Sequence, residues 1–116
     1  MDFSDKIGVP SKRSKYGNQK TELDGITFDS KAEARRYGEL KLLERAGEIR
    51  SLELQPSFAL EVNGVHVCRY IGDFRYVDMR DSSIVVEDVK GVETKEFKIK
   101  KKLMQAVHGI SVTLIH

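Results

Sequence analysis

The chain has 116 residues, 40% of them hydrophobic and 33% charged, with a formal net charge of +2. This length supports one domain with a modest core, and no apolar run is long enough to span a membrane. The one cysteine, Cys68, excludes an internal disulfide, and the opening MDFSDKIGVPSKRSKYGNQK lacks the apolar segment a signal peptide requires, so a cytoplasmic protein is expected.

Net charge alone does not point to nucleic acid, but its distribution is uneven. Lys12, Arg13, Lys15 and Lys20 mark a basic leader, and Lys95, Lys98, Lys100, Lys101 and Lys102 crowd a later segment. Such clusters serve as phosphate-binding surfaces or simply as solvated faces. Residues 1–20 have no hydrophobic periodicity and carry Gly, Ser, Pro and Lys, which predicts a flexible basic arm ahead of a folded domain over 21–116.

In TELDGITF, Asp24-Gly25 between short apolar alternations predicts a hairpin. From Ser30 to about Ala46 the period is helical, with Tyr37, Leu40 and Leu43 on one stripe and Gly47 placed to stop it. Glu33 lies one turn before Tyr37 on that stripe. Ser30-Lys31-Ala32-Glu33 has the spacing of a capping box, in which Glu33 reaches back to a free backbone N–H; the sharper alternative is a third acid facing a metal.

Ile49 to Leu54 alternates as a strand up to Gln55-Pro56, where a proline belongs at an edge or bulge. Ser57 to Val62 continues extended to the tight-turn pair Asn63-Gly64, and one long strand, Val65 to Val77, returns with Asp73 near its far end. Ile84 to Val89 is apolar enough for a central strand buried on both faces. Thr94 is a plausible N-cap for a helix to about His108 with Ile99, Leu103, Ala106 and Val107 as its apolar stripe, and Gly109 can end it. Ser111 to Ile115 alternates as a last strand.

The stretch YIGDFRYVDMRDSSIVVEDVKG carries the chemistry. By strand alternation Ile71, Asp73 and Arg75 point one way and Tyr70, Phe74 and Tyr76 the other, while Ile84, Val86, Asp88 and Lys90 share a face. Paired, the two strands bring Asp73, Asp88 and Lys90 to one end of the sheet. Two carboxylates beside a lysine among Val, Ile and aromatic residues are costly unless a cation sits between the acids, which predicts a divalent metal site. Glu87 alternates away from Asp88 and is kept as a reserve ligand.

At these residues the chain resembles the PD-(D/E)XK nuclease superfamily, whose pattern is an acid on one strand followed by acid-x-Lys on the next. KYGNQKTELDGITFDSKAEARRY, LELQPSF, YIGDF and VVEDVKG resemble more narrowly a small phage-type endonuclease family related to Holliday-junction resolvases and to the nuclease subunit of Tn7-like transposases. The resemblance spans about residues 28–115. It implies an α/β fold with a restriction-endonuclease-like core of helix, three strands, helix and strand, preceded here by the short hairpin and the basic arm.

It further implies a structure-selective endodeoxyribonuclease, in which Asp73 and Asp88 bind Mg2+ or Mn2+ and Lys90 lies next to the attacking water. Glu33 matches the first-helix glutamate that completes the metal site in resolvase-like members, and this match moves its catalytic reading ahead of the cap. Gln55 matches a glutamine on the strand before the metal-binding acid, where it orients substrate or an acid. Lys100 corresponds to a DNA-binding basic residue on the second helix, and Lys12, Arg13 and Lys15 of the arm are expected to track phosphates. Gly72 stands where other members carry proline.

DNA is the expected partner, and cutting two strands with one site per chain implies a homodimer. A phage-encoded chain would work in the host cytoplasm. With no apolar run of membrane-spanning length no membrane partner is expected, and no Gly-rich phosphate loop is present to suggest an organic cofactor. His66 and Cys68 alternate on a strand, but two ligands do not make a zinc site. The competing readings are an Asp73–Lys90 structural ion pair, and a nuclease fold that has lost activity and persists as a DNA-binding or inhibitor module.

Overall fold

The computed structural model describes residues 20–90 and 92–116; Lys12, Arg13, Lys15 and the rest of the expected arm before residue 20 lie outside them. Among the described residues the fold is mixed α/β with two α-helices, and packing divides the chain into two compact units that meet in sequence at Tyr37 and Gly38.

In the first unit, β1 (Thr21–Leu23) and β2 (Ile26–Phe28) form the expected hairpin. Asp24 and Gly25 both take positive φ, 54° and 75°, the conformation a two-residue hairpin turn requires. Helix α1 (Lys31–Arg45) starts here, and Ser30 caps it by accepting the Glu33 N–H at 3.1 Å. Ala34 and Tyr37 are buried, with the Tyr37 ring 5.1 Å from that of Phe28.

The second unit begins within α1, where Leu40 is fully buried; Leu43, expected on the same stripe, is partly exposed. The helix ends at Gly47, whose φ of 81° only glycine adopts without strain. Strands β3 (Ile49–Leu54) and β4 (Ser57–Val62) follow with the expected bounds. The expected long returning strand is instead two, β5 (Val65–Ile71) and β6 (Phe74–Asp78), separated at Gly72-Asp73. β4 and β5 form a two-stranded ribbon, whereas β3 and β6 enter a four-stranded sheet of order β3-β6-β7-β8, with β7 at Ser83–Val89 and β8 at Thr113–Ile115.

The break has a local cause on both strands. Gln55 takes φ 52° ahead of the buried Pro56, and Gly72 N–H donates to Pro56 O at 3.0 Å, so the paired strands bend at the same level. Gly72 packs tightly against β7: a Cβ there would lie 3.1 Å from Val86 Cγ1. Beyond the bend the ribbon delivers Leu60 and Tyr70 to a core completed by Val86, Phe97, Met104 and Val112.

Helix α2 (Lys95–Leu103) crosses from β7 to the parallel strand β8 and is capped by Thr94, whose Oγ1 accepts the Phe97 N–H at 3.1 Å. It continues as one π-helical turn over Met104–His108 and stops at Gly109, φ 70°. Of the expected apolar stripe, Leu103 and Val107 pack against the core, whereas Ile99 and Ala106 are exposed. Ile99 is 60% exposed, and Phe97 and Met104, seven residues apart and therefore on one face, are buried. β7 is the expected inner strand, buried on both faces at Val86, Glu87 and Asp88 but not at Ile84, which is exposed. β8 pairs only with Glu87, Asp88 and Val89, so only that end of β7 is flanked on both edges.

Candidate metal centre

The strand break that separates β5 from β6 makes Asp73 the meeting point of three segments. Its N–H donates to Glu87 O and its C=O accepts from Gln55 N–H, both at 3.0 Å. Its carboxylate accepts the Val89 N–H through Oδ2 at 2.7 Å. That bond sets the Asp73 side chain against the backbone between Asp88 and Lys90. Gln55 is brought to the same place by its backbone, and its side chain is exposed.

Asp88 is 4% exposed, yet both of its oxygens are engaged. Tyr70 Oη donates to Oδ2 at 2.5 Å, and Lys90 Nζ lies 3.5 Å from Oδ1. The Lys90 ammonium also sits 4.6 Å above the Phe97 ring centroid, a cation–π contact that holds it over the site. Burial, then the Asp88 hydrogen bond, then the charges of Asp88 and Asp73 push the ionisation of Tyr70 far above its ordinary range, so its hydroxyl remains a donor.

Glu87, 1% exposed, accepts from Tyr76 Oη at 2.5 Å. Successive strand residues face opposite sides, so the two tyrosines serve opposite faces of β7. This corrects the expectation that Tyr70, Phe74 and Tyr76 share one side. Phe74 and Tyr76 stay on the Glu87 face, as the pairs Phe74–Glu87 and Tyr76–Val85 require, while Tyr70 has left with the ribbon and returns over the Val86 face.

An open cleft of about 240 Å³ lies over Asp88, walled by Arg69, Tyr70 and Ile71 of β5, Lys90, and Thr94, Glu96, Phe97 and Lys100 at the start of α2. Lys100 Nζ is 3.8 Å from Glu96 Oε2. Three residues from Phe97 and four from Met104, it flanks the buried stripe, which brings it to the cleft. Asp73, Asp88, Lys90, Gln55 and Lys100 all belong to the second unit. Glu33 belongs to the first, where its backbone N–H is taken by the Ser30 cap. Among the described residues no three His, Cys, Asp or Glu side chains are grouped as a metal cage.

Tyr70, Arg69 and Phe97 join the site without having been expected there from the sequence. Tyr70 did carry a signal, because a tyrosine on an inward strand position needs a partner for its hydroxyl.

The family model described as a protein of unknown function, DUF1064, matches residues 13–114. The chain belongs to this family. No curated protein and no solved structure matches it. The DUF1064 match runs from before β1 into β8 and contains every residue of the centre described above. No helix of this DUF1064 chain, among the described residues, is long and apolar enough to cross a membrane.

Proposed function

We propose that the chain is a metal-dependent endodeoxyribonuclease with a restriction-endonuclease-like core, cutting branched or junction DNA of phage or mobile-element origin. One observation carries the reading: the Asp73 carboxylate is tied to the Val89 N–H, between Asp88 and Lys90, and those two flanking residues line an open cleft. The order of α1, an antiparallel β3-β6-β7 run, α2 and a parallel β8 supports the core assignment.

The donor set suits Mg2+ or Mn2+. Magnesium is commonly held by one or two carboxylates, with waters and substrate phosphate oxygens filling the remaining positions, so it needs no closed protein cage. Asp73 and Asp88 would hold it, and it would supply charge neutralisation on the phosphate and a water of lowered pKa. Tyr70 orients the Asp88 carboxylate by donating to Oδ2. Lys90, kept over the cleft by Phe97 and Asp88, offsets negative charge as it develops on the phosphate. Lys100 on the helix wall attracts the phosphodiester backbone. Two copies of the chain would be needed to cut both strands of a junction or duplex.

A second reading, a binding or inhibitor module without activity, draws on the engagement of both Asp88 oxygens by Tyr70 and Lys90. Cleavage of labelled junction, flap, duplex and single-stranded DNA with Mg2+ or Mn2+ separates the two. Metal-dependent cutting that Asp88→Ala and Lys90→Ala both abolish supports the nuclease; DNA binding without cutting by the wild type supports the module.

A further inference from the structure

Exposed apolar side chains gather on the β4–β5 ribbon, where Val62, Val65, Val67 and Ile71 all stand in solvent. The ribbon leaves the four-stranded sheet at Gln55-Pro56 and Gly72-Asp73, so its base is anchored at Asp73. Its inward side feeds the core with Leu60 and Tyr70. On the outward side of β5, Arg69 and Ile71 are exposed and at the same time form one wall of the cleft over Asp88 and Lys90. The Arg69 guanidinium donates to Ser57 Oγ at 2.7 Å and has no carboxylate partner among the described residues.

We propose that this outer ribbon face is a contact surface for duplex DNA next to the cut site. Arg69 takes a backbone phosphate adjoining the one in the cleft, and Ile71 and Val67 lie against sugar and base edges of the neighbouring groove. An arginine steadied by a hydroxyl and unpaired with an acid has its guanidinium fork available for phosphate oxygens. Two strands about 4.8 Å apart fit a major groove about 12 Å wide. Continuity with the cleft decides between DNA and a second copy of the chain: whatever covers Arg69 and Ile71 also lies across the wall of the cleft, as a polyanion threading it does and as a protein copy would obstruct.

The placement beside the cut rests on the nuclease reading, but the test reads binding alone. Anisotropy of labelled duplex DNA is measured in EDTA over a salt series for wild type, Arg69→Ala and Ile71→Ser, with Lys98→Ala, outside the cleft, setting the loss due to net charge. Arg69→Ala is expected to bind about 5- to 10-fold more weakly, with a salt slope shallower by about one. Ile71→Ser is expected to weaken binding about threefold with the slope unchanged, apolar contact being insensitive to counterions. The residues are exposed, so unchanged circular dichroism and melting are expected for each variant.

A loss in Arg69→Ala no larger than in Lys98→Ala overturns the proposal, as does absence of DNA binding by the wild type. Conversion of a dimer to a monomer by Ile71→Ser, with DNA affinity per protomer intact, overturns it in favour of a contact between copies. Wild-type binding without cleavage defeats the nuclease reading and leaves the ribbon result standing.

Discussion

Tyr70 Oη and Asp88 Oδ2 lie 2.5 Å apart, which links the ribbon to the central sheet through a buried, charge-assisted hydrogen bond. Removing the hydroxyl leaves a carboxylate that is 4% exposed short of one donor. Tyr70→Phe is expected to destabilise the metal-free chain by about 1–3 kcal/mol, read from urea unfolding in EDTA. Because the same bond orients a proposed ligand, Mn2+ affinity measured by calorimetry should fall on the order of tenfold. Unchanged affinity in a folded Tyr70→Phe variant would remove Tyr70 from the centre.

Glu87 and Asp88 are adjacent and equally enclosed, yet they face opposite sides of β7 with different tyrosines. Asp88→Asn is therefore expected to lower cleavage by on the order of 100-fold or more, whereas Glu87→Gln, which keeps an oxygen for Tyr76, should stay within about threefold of wild type. Comparable losses in both variants, at equal thermal stability, would make Glu87 part of the metal centre.

Gly72 sits where a side chain would press on Val86, itself fully buried. A Cβ 3.1 Å from Val86 Cγ1 requires Val86 to shift within the core, so Gly72→Ala is expected to cost about 1–3 kcal/mol. A second consequence is a shift of Asp73 relative to Val89, so cleavage should drop further than the stability loss explains. Denaturant melts alongside single-turnover cleavage test both parts, and an alanine variant of wild-type stability would show that the bend has slack.

Arg80 holds the Asp78 carboxyl down to about 2 from its ordinary 3.8 through paired hydrogen bonds at the β6–β7 turn. A lowered folded-state value means that the ionised turn stabilises the fold above pH 3.8 and that this contribution fades as pH falls toward 2. The stability gap between wild type and Asp78→Asn should thus be constant near neutrality and close over that acid interval. A gap that widens on acidification would contradict the assignment of the shift to Asp78.

Local chemistry explains what was legible beforehand. Asp24-Gly25 and Asn63-Gly64 accept positive φ at low cost, so both hairpins could be read from residue pairs. Thr94 announced the start of α2, and the alternation of Ile49–Leu54 and Ser57–Val62 matched the observed strands. Mixed α/β architecture followed from these signals, because turn, cap and period each depend on neighbours within a few positions.

Tertiary structure decided the rest. Alternation alone runs straight through Gly72-Asp73, and only the contacts of Gly72 with Pro56 and Val86 turn that stretch into a switch between sheets. The switch places Tyr70 over Asp88 and Tyr76 over Glu87, an outcome period-two patterning cannot express. Phe97 displaced Ile99 from the core for a similar reason: the stripe of a short helix is selected by the surface it meets, here Tyr70 and Val86. Residue identities determined which groups could carry charge and hydrogen bonds; the non-local packing of ribbon, sheet and helix determined which of them meet.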